Sequence, residues 1–155
     1  MATSVENYIP YQPNAQGLTE ALLDLKSSMG TSSVFKVTGY EAVAFENVTQ
    51  GDALYARASD GQVGKAIAND TFDKALVAGV AETTKPAGQS VKVIVAGIVA
   101  TAGLNAGDQY FLSAASPGAI NETPPSTAGQ YVTRVGEAGS TGQFIVNPER
   151  PILLS

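Results

Sequence analysis

The sequence has no cysteine and no histidine among its 155 residues. The absence of cysteine excludes disulfides and thiolate metal sites. The absence of histidine removes the commonest acid or base at neutral pH and the commonest metal ligand. A nucleophile would have to be a serine or threonine activated by a lysine or an N-terminal amine. No segment is typical of a nucleophile elbow or of Ser-x-x-Lys on a helix, so the sequence weighs against an enzyme.

Charge is also scarce. Charged residues make up 15% of the chain, with 14 acidic against 9 basic side chains, whereas about 25% is average for a globular domain. Without a cluster of lysine and arginine, this balance argues against binding nucleic acid by phosphate neutralisation. A surface so poor in charge suits a protein packed against neighbours, although a weakly charged soluble monomer would have the same composition.

Long apolar runs are absent as well. The longest, residues 91–102, is interrupted by Lys92 and Gly97 and is too short to span a bilayer. Residues 1–7 have neither the basic start nor the apolar core of a signal peptide. We therefore expect no membrane partner and synthesis in the cytoplasm.

One short pattern occurs twice. Residues 51–57 read GDALYAR and residues 107–113 read GDQYFLS. Each run leads into a second turn, Ser-Asp-Gly in the first case and Ser-Pro-Gly in the second. The order of segments is also kept further along the chain, where 77–82 corresponds to 132–138 and 88–95 to 142–146. Such near-constant spacing indicates a duplicated supersecondary unit.

Short runs rich in β-branched and aromatic residues, separated by Gly, Asn, Asp and Pro, predict strands from residue 34 onward. The predicted strands are 34–38, 41–45, 52–58, 75–81, 91–100, 110–114, 131–137 and 143–147, and residues 64–73 are predicted to form a loop. Since 34–39 resembles 91–97, consecutive copies are expected to share strands. The predicted fold is mainly β, a duplicated small antiparallel barrel-like or sandwich-like unit. Residues 34–155 form this β body, with repeats at about 34–90 and 91–147 and a tail at 148–155.

The first 33 residues are predicted to differ from the β body. Prolines among the aromatic residues of 1–16 favour an extended arm, and an apolar stripe at helical spacing over 17–29 predicts one short helix. The arm could be a frayed terminus or could dock on this chain or a partner, and the stripe could be covered by the β body or by another subunit. We predict partner contacts for Tyr8, Ile9, Pro10, Tyr11, Leu18, Leu22, Leu25 and Met29.

The C-terminal tail holds Ile152 and Leu153, which would be a liability if left exposed. They are expected to pack on the body or on a neighbour, and they complete the predicted partner-binding set. Pro148 and Pro151 should keep this tail extended, at a sheet edge or off the sheet.

Acidic residues offer the remaining route to chemistry. Asp70 with Asp73, or Asp52 with Asp60, are the available pairs for glycoside hydrolysis, but all four lie among turn residues, where aspartate favours local backbone hydrogen bonds. A Ca²⁺ site needs about six to eight oxygens, and each Gly-Asp supplies one acid. We interpret Gly-Asp as a turn in which glycine takes a positive φ and aspartate caps the backbone. No metal, cofactor or nucleotide is expected.

Residues 102–113, followed by the segments 117–120, 123–125, 130–132 and 135–138 and the closing 150–154, resemble a module of virion structural proteins from tailed bacteriophages. The sequence is similar to head-decoration (capsid cement) proteins and to β modules of phage tail fibres. The resemblance covers roughly residues 34–155 and does not include the arm or the helix.

This resemblance implies a β-rich protein without enzymatic activity, located in the virion on the outer capsid surface. It implies binding to the major capsid protein and a homotrimer at three-fold or quasi-three-fold positions. Binding would stabilise the expanded shell. The alternative is a receptor-recognition module of a tail fibre, in which the polar loop 121–129 would touch the host. A carbohydrate-processing enzyme is a third and weaker reading.

Overall fold

The computed structural model describes residues 37–155, and the elements are numbered within that part of the chain. It is mainly β, with a single short helix, which confirms the predicted fold class. The elements are β1 (Thr38–Val43), β2 (Ala53–Ala56), β3 (Val63–Lys65), α1 (Phe72–Ala75), β4 (Gly79–Ala81), β5 (Ser90–Ala100), β6 (Gln109–Leu112), β7 (Ile120–Asn121), β8 (Tyr131–Val132), β9 (Arg134–Ser140), β10 (Gln143–Val146) and β11 (Ile152–Leu153).

Nine of these strands form one antiparallel sheet that curls into a half-barrel. The order of strands is β3-β2-β4-β5-β10-β9-β6-β7, and β1 pairs with β5 beside this path. The remaining two strands, β8 and β11, form a separate two-stranded sheet.

The long strand β5 belongs to two groups of strands. Its residues 90–96 pair with β1 and β4, and its residues 97–100 pair with β10. The group β3-β2-β4-β5-β1, called here the first unit, has the same order as β7-β6-β9-β10-β5, called the second unit. The two units are therefore fused through one continuous strand.

Equivalent turns precede β2 and β6. Gly51 has a φ of 91° and its N–H donates to Ala81 O at 2.9 Å, while Gly107 has a φ of 87° and its N–H donates to Ala138 O at 2.7 Å. In each unit the same alanine donates its own N–H to the carbonyl of the aspartate that follows the glycine, at 2.9 Å. The repeated Gly-Asp thus forms the same turn twice, with glycine supplying the positive φ as predicted.

A second pair of glycines allows close approach of strands. A Cβ on Gly79 would lie 2.4 Å from Ile94 O, and one on Gly136 would lie 2.1 Å from Ile145 O. Both distances are too short for a real Cβ. The backbones of β4 and β9 can therefore lie this close to β5 and β10 only because no side chain intervenes.

The buried residues form two clusters. The smaller cluster lies wholly within the first unit and consists of Ala44, Val48, Leu54, Val63, Ala81, Val91 and Val93. The larger cluster draws on both units and includes Ala53, Tyr55, Val80 and Ile94 from the first and Tyr110, Leu112, Val135, Ala138, Phe144 and Val146 from the second. The shared cluster joins the two units into one packed body.

Several predicted boundaries are wrong. The predicted strands 34–38 and 41–45 are replaced, within the described residues, by the single strand β1, which continues through Gly39 with a register shift between Thr38 and Gly39. The predicted strand 75–81 begins instead with the end of α1, and only Gly79–Ala81 is extended. Residues 64–73, predicted as a loop, contain the end of β3 and the start of α1.

The helix α1 has a local cause. The Thr71 side chain accepts a hydrogen bond from Lys74 N at 3.4 Å as the N-cap, and Asp73 lies in the first turn. Both features stabilise a helix start. The predicted arm and helix of residues 1–33 lie outside the described residues.

Candidate functional site

The C-terminal strand β11 carries the two predicted partner-binding residues that the structure describes. It pairs antiparallel with β8, Ile152 opposite Val132 and Leu153 opposite Tyr131. Beyond the strand, Leu154 N donates to Gln130 O at 2.8 Å. The tail is therefore held in an extended conformation by backbone hydrogen bonds, as its prolines predicted.

Neither Ile152 nor Leu153 is covered by the described body. Ile152 is 65% exposed and Leu153 is 58% exposed, more than any other large apolar side chain of residues 37–155. Pro151, directly before them, is buried. Of the two expectations for these side chains, packing on the described body is wrong, and packing on a neighbour stays a prediction.

β11 also has an unpaired backbone edge within the described part of the chain. Antiparallel pairs alternate between residues that exchange hydrogen bonds and residues that do not. Because Leu154 and Gln130 are joined by a hydrogen bond, the neighbouring pair of Leu153 and Tyr131 is one that exchanges none. Tyr131 N donates instead to Ala68 O at 2.8 Å, on the side away from β11. The Leu153 peptide groups therefore point away from β8, at an edge that could accept another strand.

The base under this edge is fixed by side-chain contacts. The rings of Phe72 and Tyr131 pack edge to face with centroids 6.0 Å apart, and the Arg150 guanidinium lies 5.3 Å from the centre of the Phe72 ring. The buried Thr133 hydroxyl donates to Ala75 O at 2.9 Å, which ties α1 to the strands. β11 is thus presented on a packed base and not on a loose tail.

Two ion pairs that share Arg134 lie beside β11. Arg134 contacts Glu137 at 2.8 Å and Glu149 at 3.1 Å. Glu149 N also donates to Arg134 O at 2.8 Å. These bonds hold the chain that leads from β10 to β11 against β9.

A cleft lies beside the strands of the first unit, and no sequence pattern predicted it. It is a cleft of about 340 Å³, within the lower part of the roughly 300–1,000 Å³ range of ligand pockets. Its lining residues are Phe45, Glu46, Tyr55, Lys65, Ile67, Asn69, Asp70, Lys74 and Pro117. They come from four separate stretches of chain, so no local motif could have predicted it.

Three of the four acidic residues considered for catalysis have separate local partners. Asp60 accepts from Arg57 at 2.6 Å, and this hydrogen bond lowers the pKa of Asp60. Asp70 accepts from Lys74 Nζ at 2.7 Å. Asp52 accepts from Thr49 N at 2.8 Å, the capping role predicted for it, and burial raises its pKa.

The remaining predicted contact residues, from Tyr8 to Met29, lie outside the described residues, and their role stays a prediction. Within residues 37–155, no group of three His, Cys, Asp or Glu side chains is placed to share a metal ion. No helix in that range has both the length and the apolar character needed to cross a membrane.

Comparison with known proteins does not assign this chain to a family. A scan against models of known protein families finds no match to the chain, and a search of curated proteins finds none either.

Proposed function

We propose that this protein is a virion structural protein that binds the outer capsid surface of a tailed bacteriophage and stabilises the expanded shell. Its partners would be the major capsid protein and further copies of itself, as a trimer. This role is adhesive, with no catalytic step.

The observation that carries the proposal is the exposed apolar strand β11. Ile152 and Leu153 are both more than half exposed, on a strand that has a fixed base and one edge unpaired within residues 37–155. Burying such side chains fully is worth roughly 1.5–3 kcal/mol each. A partner strand added along the free edge would supply main-chain hydrogen bonds as well, the recognition mode known as β-augmentation.

The exposed apolar strand supports binding to a partner in general. The sequence resemblance to capsid cement proteins is the reason for proposing the capsid as that partner. A protein that binds the expanded shell and not its precursor stabilises the expanded state by mass action, by about 2.7 kcal/mol per site when its concentration is 100 times Kd. Repeated over many sites on one shell, modest affinity per copy is enough to resist internal pressure.

The test is co-sedimentation of the purified full-length protein with expanded and unexpanded heads of the tailed phage whose genome carries this sequence. The wild-type protein should pellet with expanded heads only. The double variant Ile152→Asp with Leu153→Asp should lose at least about tenfold in affinity, because two charges would have to be desolvated at the contact.

Leu76→Asp is the matched control. Leu76 is a 40% exposed leucine next to α1, so the substitution places one such charge on another part of the surface, and binding should be retained. Circular dichroism checks that each variant folds. Wild-type protein that pellets with neither kind of head would overturn the proposal. If the double variant bound as tightly as the wild type, β11 would not be the capsid contact.

A tail-fibre receptor-recognition module remains the second candidate. The observation that favours it is the loop over residues 122–129, which is exposed at every position except the half-buried Pro125. Copy number separates the two roles. Quantitative mass spectrometry of purified particles should find about as many copies as capsomer positions for a cement protein, and far fewer for a fibre.

A further inference from the structure

The cleft in the first unit has an aromatic wall. Phe45 and Tyr55 pack edge to face, with centroids 6.0 Å apart and planes at 80°. The Arg57 guanidinium lies 4.2 Å from the centre of the Phe45 ring, and Arg57 is not part of the cleft lining. The edge of the Phe45 ring lies where a side chain on Gly64 would be, since a Cβ there would come within 2.2 Å of it. Phe45 is therefore locked in place before any ligand arrives.

Around this wall lie hydrogen-bonding groups with free capacity. Glu46 uses one carboxylate oxygen to accept Lys65 N at 2.7 Å, which leaves its other oxygen as an acceptor. The Asn69 side chain, and the hydroxyl of the 8% exposed Tyr55, have no hydrogen-bond partner among the described residues. The Lys65 ammonium is 3.9 Å from the nearest Asp52 oxygen, too far for a hydrogen bond. The cleft thus offers both donors and acceptors.

The charges of the lining cancel. Two lysines, Lys65 and Lys74, face two acids, Glu46 and Asp70. Lys74 and Asp70 are already paired at 2.7 Å. A strongly anionic ligand would meet Glu46 and Asp70, and a cationic one would meet the lysines. The balance favours a ligand without net charge.

We propose that this cleft binds a neutral saccharide, a hexose unit either free or at the end of a glycan. A pyranose ring has hydroxyl groups at its rim and C–H groups on its faces. The C–H groups carry slight positive charge and suit the negative face of an aromatic ring. The hydroxyls both donate and accept, which matches the mixed polar groups of the cleft. A purely apolar ligand would leave those groups unpaired, at a cost of about 1–3 kcal/mol for each that is desolvated.

This site is separate in its residues from β11, and it goes beyond the proposed capsid role. A decoration protein with such a cleft would give each particle many weak contacts with a glycan-bearing surface. Linked weak sites can exceed the affinity of a single one by 10²–10⁴, so weak binding in each cleft would be sufficient.

The test is a two-dimensional NMR titration of the ¹⁵N-labelled full-length protein with glucose, galactose, mannose and N-acetylglucosamine. At least one sugar should cause saturable shifts of the Gly64, Lys65 and Asn69 amides. Tyr55→Phe and Asn69→Ala should each weaken that binding by about tenfold, since each removes a hydrogen-bonding group from the cleft and leaves the aromatic wall. Asn147→Ala, at an exposed asparagine outside the cleft lining, should leave it unchanged.

Three results would overturn the proposal. One is the absence of saturable shifts with all four sugars. Another is saturable binding of inorganic phosphate at the same amides in place of sugar, which would make the cleft an anion site. The third is equal loss of binding with Asn147→Ala. The double variant at Ile152 and Leu153 should still bind sugar, so failure of capsid binding and failure of sugar binding are distinguishable.

Discussion

The two units share a strand order but differ in how many faces of their sheet are buried. In the first unit all three residues of β4, Gly79–Ala81, are buried. In the equivalent part of β9 the flanking Gly136 and Ala138 are buried, and the residue between them, Glu137, is only half-buried. The same difference is found at a second pair of equivalent positions. Ala53 is buried in β2, and Gln109 is exposed in β6.

The difference follows from what lies over each sheet. The larger cluster places Val80 and Ile94 of the first unit together with Tyr110 and Phe144 of the second. The first unit is therefore covered on both faces, by its own smaller cluster and by the second unit. Among residues 37–155, the second unit is covered on one face only. A duplicated backbone can thus keep its hydrogen bonds while its side chains adapt to different surroundings.

The largest expected effect comes from exchanging the residues that mark this difference. Val80→Glu puts a carboxylate at a position with 0% exposure, and we expect a loss of at least about 4 kcal/mol in the free energy of unfolding. Glu137→Val removes an ion pair with Arg134 whose glutamate is 46% exposed, and we expect a change within about 1 kcal/mol. Urea denaturation of both variants measures this. Similar losses in the two would mean that both faces of the second unit are covered.

The next effect concerns two equivalent glycines, Gly79 in β4 and Gly136 in β9. Gly79→Ala and Gly136→Ala should each cost about 3 kcal/mol, because the added Cβ would meet the carbonyl of Ile94 or Ile145 and force the strands apart. Gly139→Ala is the control in the same strand as Gly136, since its Cβ would meet only the Ile145 side chain, with Cδ1 at 3.0 Å and Cγ1 at 3.3 Å, and no backbone atom. It should cost less than about 1 kcal/mol. Thermal denaturation measures the three variants. Destabilisation by only one of Gly79→Ala and Gly136→Ala would contradict the structural equivalence of these two glycines.

The smallest effect is the pH dependence of stability that Asp52 contributes. Burial raises the pKa of Asp52 above its ordinary value of 3.8, although Thr49 N and Lys65 act in the opposite direction. Because the folded pKa exceeds the unfolded one, this group favours folding most below pH 3.8. That contribution is lost as the pH rises through the folded pKa.

Asp52→Asn should therefore flatten this part of the stability profile, measured by urea denaturation from pH 3 upward. Asp108→Asn, at the exposed equivalent position, is the matched control for the substitution itself. A profile for Asp52→Asn that falls as steeply as that of the wild type would contradict the assignment.

Much of the β body could be predicted from local signals. The Gly-Asp turns were recognised because a positive φ is costly for any residue other than glycine, and β5 because a long run of β-branched residues favours a strand. β3 and β7 were missed, since three and two residues are too few to establish a pattern. α1 was missed because a single turn of helix has no stripe, and only its Thr71 cap could have indicated it.

Of the two candidate sites, one could be proposed from the sequence and the other could not. Ile152 and Leu153 could be singled out as candidates because consecutive apolar residues directly after a proline stand out in any sequence. The cleft was not found, because Phe45, Tyr55 and Pro117 are separated in the chain and only the folded arrangement of strands and loops brings them together.

The sequence alone determined that this protein is built from strands, that its turns repeat, and that its tail is extended, because backbone preferences act over a few residues. The tertiary structure decided which face of each unit is buried, that Ile152 and Leu153 remain exposed, and where the cleft forms. Burial depends on which distant part of the chain lies over a residue, and that is set only when the two units pack together.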